Sequence, residues 1–96
     1  MDGTGELPDA EIYVQDTDWL RRADVLVAEV STPSLGVGYE IGKAEEWSKP
    51  TLCLYRPAAG RYLSAMIAGN EKLTIKEYQN PDQAMRIIDE FLGALG

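Results

Sequence analysis

The run Ser31-Thr32-Pro33-Ser34-Leu35-Gly36-Val37-Gly38-Tyr39-Glu40 gathers hydroxyls, two glycines and a carboxylate into one short stretch. Gly36 and Gly38 permit close backbone approach, and free N–H groups at the start of a following helix favour an anion. Ser34 adds a neutral hydroxyl donor. A Gly-x-Gly spacing is weak evidence by itself, so an anion site and an ordinary turn both stand as readings. Glu40 is equally two-sided. Early in a helix a glutamate compensates the helix dipole, worth about 0.3–1 kcal/mol. Yet Glu40 lies between Val37 and Ala44 at i−3 and i+4, at the border of the core-facing stripe.

Asp16 is the more telling carboxylate. On a helix wheel it falls in the middle of the face made by Ile12, Tyr13, Trp19, Leu20 and Ala23, whereas Asp18 falls on the opposite side. A carboxylate inside an apolar face needs a partner or a task, because uncompensated burial is costly. The partner would be a helix-end hydrogen bond or an ion pair with Arg22. The task would be general-acid chemistry, for which a buried carboxyl is suited. Two carboxylates in a chain with no histidine point toward a glycosidic bond. One attacks or stabilises the anomeric carbon, and the other protonates the leaving group.

The elements that must position these groups alternate along the chain. A helical pattern over Asp9–Arg22 leads into a strand over Ala23–Val30, whose Val25–Ala28 run is apolar on both faces, as a covered parallel strand requires. Ser31–Gly38 reads as a turn, followed by a helix to about Ser48 that Lys49-Pro50 ends. Thr51–Tyr55 is the second strand, and 56–60 is a loop. A short apolar helix near Leu63–Ala68 stops at Gly69-Asn70. Leu73–Tyr78 is a third, edge-like strand. Asn80-Pro81 supplies a cap and first-turn proline for a closing helix with the stripe Ala84, Ile87, Ile88, Phe91, Leu92 and Leu95. Such alternation predicts an α/β fold with a parallel sheet of three strands. Leu63–Ile67 is either core or the closure of a pocket or dimer.

Composition narrows the chemistry. The 96 residues fit one small domain, and the 45% hydrophobic content suits a folded globule. A net charge of −7, with nine basic against sixteen acidic residues, argues against nucleic-acid polymers, though not against one small phosphorylated ligand. The absence of histidine removes the usual general base, every Ser–His or Cys–His arrangement and the commonest zinc ligand. The single Cys53, inside an apolar strand-like run, reads as a packed core thiol in a reducing compartment. No apolar run reaches the roughly 18 residues of a membrane helix. A cytoplasmic protein, or a nuclear one in a eukaryotic cell, is expected.

The chain resembles a known family. Gln15-Asp16, Trp19-Leu20, Ala23-Asp24-Val25, Val27-Ala28-Glu29-Val30, Pro33 to Glu40, Cys53-Leu54, Arg56-Pro57 and Leu63 to Ile67 are similar to the 2′-deoxynucleoside 5′-phosphate N-hydrolases, which belong with the nucleoside 2-deoxyribosyltransferases. The resemblance runs from about Ile12 to Met66, and more loosely to the end. It implies a doubly wound, flavodoxin-like or Rossmann-like three-layer architecture, a homodimer, no cofactor and no metal. It also implies cleavage of deoxynucleoside monophosphates to free base and 2-deoxyribose 5-phosphate. Glu40 matches the nucleophile of a covalent intermediate, and Asp16 the carboxylate that protonates the base. Ser34, Gly36 and Gly38 match the phosphate site. Ser64 matches a hydroxyl given to the neighbouring subunit's phosphate, and Met66 a residue lining that shared pocket. In the transferases an aspartate tends to stand where Ser34 is, and it would repel a phosphate.

Family members begin with a strand and a glycine-, serine- and arginine-containing loop. Nothing before Ile12 matches that unit, so residues 1–8 are expected as a flexible terminus and 9–96 as the C-terminal portion of the domain. A non-catalytic nucleotide-binding or dimerisation module and a nucleoside 2-deoxyribosyltransferase are the alternative readings.

Overall fold

A computed structural model describes residues 8–57 and 62–96. The expected terminus over 1–8 lies outside them save for Pro8, and the loop over 56–60 lies outside them beyond Pro57. Seven elements follow in order: α1 Asp9–Arg22, β1 Leu26–Glu29, α2 Leu35–Glu46, β2 Thr51–Tyr55, α3 Ala65–Ala68, β3 Thr74–Glu77 and α4 Pro81–Ala94. The strands form one parallel sheet in the order β1-β2-β3, with Ala28 opposite Cys53 and Cys53 opposite Ile75. The α/β reading with three parallel strands therefore holds.

The centre of the sheet is β2, in which Thr51, Leu52, Cys53 and Leu54 are all buried. Successive side chains of a strand point to opposite faces, so a strand buried at every step must be covered on both. One cover is α2, whose Ile41 joins Ala28, Cys53 and Leu73 in the core, flanked by Leu26, Val30, Val37, Ile67 and Ile75. The closing helix α4 also packs against β2. Burial pushes the Cys53 thiol above its ordinary pKa, so it packs as a small apolar side chain, as its setting in the sequence implies.

Several features differ from expectation. Because α1 runs to Arg22 and the Ala23 amide closes it by donating to the carbonyls of Trp19 and Leu20, the first strand shortens to Leu26–Glu29. Val27 in that strand is exposed, so among the described residues β1 is not covered on both faces. Along α1 only Leu20 is buried; Ile12, Tyr13 and Trp19 are 41%, 53% and 58% exposed. The helix packs on α2 rather than spreading over the sheet, which leaves most of its apolar stripe outside the core. The last part of the α4 stripe, Leu92 and Leu95, is exposed as well.

The start of α2 is the difference that matters most for chemistry. Ser34, not a residue beyond Gly38, caps α2, and its Oγ accepts the Val37 amide at 3.2 Å. Gly36 and Gly38 thus lie in the first turn of a helix instead of in a turn preceding it. At the far end α2 closes with the Ser48 amide bonding the Glu45 carbonyl and the Lys49 amide bonding the Ala44 carbonyl. Ser48 adopts φ 57° there, the left-handed stop that a helix more often gives to glycine. The Asn80 cap and Pro81 at the start of α4 appear as expected, with the Gln83 amide donating to Asn80 Oδ1 at 2.8 Å. Among the described residues no helix is long and apolar enough to cross a membrane.

Candidate active site

Parallel sheets bring loops and helix starts together beyond the carboxyl ends of their strands, and there ligands bind. The turn after β1 and the first turn of α2 occupy that position. Two recesses flank them. A groove of about 180 Å³ runs between α1 and α2, lined by Tyr13, Asp16, Thr17, Leu20, Gly36, Tyr39 and Glu40. These fall at i, i+3, i+4 and i+7 on α1 and at i, i+3 and i+4 on α2, the spacing of one face on each helix. Asp16 and Glu40 therefore face a common space. Neither makes a hydrogen bond or ion pair among the described residues. The ion pair considered for Asp16 is not formed, because Arg22 reaches Asp18 at 3.0 Å.

A larger cleft of about 480 Å³ lies along the other flank of the same turn. Ser34, Gly38, Ser64 and Met66 border it, with Thr32 and Pro33 on the turn. The seven residues singled out by sequence are thus divided by α2, with Asp16, Gly36 and Glu40 on one side and Ser34, Gly38, Ser64 and Met66 on the other. Ser64 caps α3 as Ser34 caps α2, its Oγ accepting the Met66 amide at 3.2 Å. Each capping hydroxyl accepts through a lone pair and retains its own proton, with no acceptor for it among the described residues. Two neutral O–H donors therefore border one cleft, and they suit an anion without adding a countercharge.

The glycines do less than the motif promised. The Gly38 amide donates to the Ser34 carbonyl at 3.0 Å, so it is spent inside the helix and is no phosphate donor. Gly36 lies among the first helical residues, whose N–H groups have no intrahelical partner. A Cβ at Gly38 would meet nothing within 4 Å, and one at Gly36 only Ser34 Oγ at 3.9 Å. Close backbone packing does not explain either residue.

Glu40 gains meaning from the shifted boundary. With α2 starting at Leu35, Glu40 stands in the second turn, beyond the reach of the dipole effect, which fades within the first. The bland account of this carboxylate loses its basis.

Two polar groupings were not singled out in the sequence. Tyr13 and Tyr39 join across the groove, hydroxyl to hydroxyl at 3.1 Å, with ring centroids 6.0 Å apart. That bond raises the Tyr39 pKa above its ordinary value. Lys43 lies over the Tyr39 and Trp47 rings, and Arg21 over Trp47. The second grouping centres on Glu29, which accepts from the Ser31 amide at 2.9 Å, the Ser31 hydroxyl at 2.5 Å and the Tyr78 hydroxyl at 2.6 Å. A glutamate interrupting an apolar strand was its one visible signal. Burial raises the Glu29 pKa, but the three donated bonds outweigh it and hold the carboxyl below its ordinary 4.5.

A depressed carboxylate pKa stabilises the fold above the unfolded value, and that contribution is lost as pH falls through the folded one. Glu29→Gln should therefore melt below wild type near neutral pH. The gap should close on acidification below 4.5, as thermal melts across an acid pH series would register. An unchanged gap at all pH values would count against this role.

With the geometry in view, kinship is plain. The chain belongs to the nucleoside 2-deoxyribosyltransferase family, whose model matches residues 2–85. Among its relatives is a 5-hydroxymethyl-dUMP N-hydrolase of Branchiostoma floridae, 51% identical over 89 residues, covering 90% of this chain and 84% of the relative. The 5-hydroxymethyl-dUMP N-hydrolase of Rattus norvegicus is 62% identical over 61 residues, or 64% of this chain and 37% of the relative. A protein of Syntrophotalea carbinolica with the provisional name 2′-deoxynucleoside 5′-phosphate N-hydrolase 1 is 46% identical over 92 residues, covering 96% of this chain and 65% of the relative. The chain thus spans most of one relative and much less of the others.

Proposed function

We propose that this chain hydrolyses the N-glycosidic bond of 2′-deoxynucleoside 5′-monophosphates, releasing free base and 2-deoxyribose 5-phosphate. The observation that carries the reading is the shared groove of Asp16 and Glu40, two carboxylates with no partner among the described residues. In this reading Glu40 attacks C1′ as a carboxylate while the C1′–N bond breaks, and Asp16 gives its proton to the departing base. Water then attacks C1′ of the glycosyl ester, Glu40 leaves as carboxylate, and Asp16 takes the water's proton. The first step frees the base and the second frees the sugar phosphate.

The phosphate takes the cleft beside the first turn of α2, against the hydroxyls of Ser34 and Ser64, with Met66 on the rim. Ser34, being neutral, favours phosphorylated substrates over free nucleosides. The names of the relatives agree with this substrate class.

A homodimer in which Ser64 crosses to the neighbour's phosphate is a second reading of the same cleft. The exposed Leu35, Tyr62 and Met66 along its rim support it.

Incubation with a panel of deoxynucleoside monophosphates tests the proposal. Free base and deoxyribose 5-phosphate should accumulate together, with little from unphosphorylated nucleosides. Base exchange between free nucleosides would favour a transferase, and binding without turnover a non-catalytic module.

A further inference from the structure

The Glu29 cluster lies outside both recesses, yet it holds the turn that builds one flank of the larger. Glu29 ends β1, and the turn it bonds through Ser31 continues into Thr32, Pro33 and Ser34, which line the larger cleft. The Ser31 hydroxyl has a second task, accepting the Arg56 amide at 2.8 Å. Arg56 directly follows β2 and begins the stretch that leads to Ser64. Tyr78, just past β3, adds the third strand end by donating to Glu29 Oε2. One carboxylate and one hydroxyl thus connect all three strand ends.

We propose that Glu29, acting through Ser31, is the positioning residue that sets the Ser34-bearing turn against the end of β2, and so governs phosphate affinity. The inference rests on reading that cleft as the phosphate's subsite. Ser31 Oγ can donate to only one acceptor. With Glu29 Oε2 taking that proton, its lone pairs face the Arg56 amide, and the order of donors along the chain is fixed. Charge-assisted bonds of this kind hold geometry better than neutral ones. Glu29 touches no reacting atom in this arrangement. Its loss shifts Ser34 relative to the sheet and leaves the Asp16–Glu40 groove intact.

The test compares Glu29→Gln, Ser31→Ala and Ser31→Thr with wild type, following steady-state kinetics, deoxyribose 5-phosphate binding by calorimetry, and hydrogen exchange at the Arg56 amide. A misplaced hydroxyl forfeits its charged hydrogen bond to the phosphate, worth roughly 10- to 100-fold in affinity. Glu29→Gln and Ser31→Ala should therefore raise KM for the monophosphate, and weaken deoxyribose 5-phosphate binding, by about tenfold or more with kcat little changed. Ser31→Thr, which keeps the hydroxyl, should restore both. Equal losses in kcat and no change in KM would assign the cluster a general structural role and overturn the proposal. Unchanged Arg56 exchange in Ser31→Ala overturns it whatever the activity. A wild type that binds deoxyribose 5-phosphate without turnover removes the enzymatic reading alone, and the binding comparison still decides the positioning role.

Discussion

Replacing Glu40 by alanine should abolish base release while leaving the protein folded. The carboxylate is half-buried, has no hydrogen bond or ion pair among the described residues, and stands beyond the reach of the helix dipole. Its removal therefore breaks no contact on which α2 depends, and the melting temperature should move little. Activity should fall by about three orders of magnitude or more, since loss of a nucleophile removes the covalent route itself. Rapidly quenched wild-type reactions should carry one deoxyribose 5-phosphate unit, as an ester, on the peptide containing Glu40. Retention of most activity by Glu40→Ala would refute the assignment, whatever the mass spectra held.

Asp16→Asn is the second large effect. The substitution keeps the shape of the side chain but can neither deliver nor recover a full proton. General-acid catalysis contributes about 10²–10⁴-fold, and a loss of that order is expected for ordinary bases. The loss should shrink for a base that departs readily as an anion, because such a leaving group asks less of the acid. A uniform loss across bases of different leaving ability would instead make Asp16 an orienting group. Its place among Tyr13, Thr17 and Leu20 matters here. Thr17 already donates to the Tyr13 carbonyl at 2.7 Å, so it is not free to stand in for the missing acid.

Much of the scaffold was legible because it depends on local rules. Thr51–Tyr55 reads as a buried strand from its apolar continuity, and Asn80-Pro81 announces α4 through capping chemistry alone. The start of α2 was not legible. Two glycines two apart look like a loop, each costing about 0.8–1 kcal/mol in a helix relative to alanine, yet the Ser34 cap and the packing of Val37 and Ile41 outweigh them. The stop of α2 near Ser48 was legible from Lys49-Pro50, although the left-handed turn at Ser48 itself carries no mark in the sequence.

Of the site, the pairing of Asp16 with Glu40 followed from the wheel and the absence of histidine. The carboxylates' shared groove was reached by a premise only partly right, because α1 leaves most of its apolar stripe exposed. The separation of the serines from the carboxylates depends on which flank of α2 each residue occupies, and spacing along the chain does not reveal that. The contact between Glu29 and Tyr78 joins residues far apart in sequence through a pairing of strands, so no local pattern contained it.

The thiol at the middle of β2 has a practical corollary. Cys53 is the chain's only cysteine, is fully buried, and has a pKa raised by burial. An alkylating reagent can reach it only when the sheet parts, so the rate of labelling reports the opening of the core. The protein thus carries its own gauge of conformational opening, native to the sequence and silent in the closed state. Any variant of the site can be read against it without adding a probe.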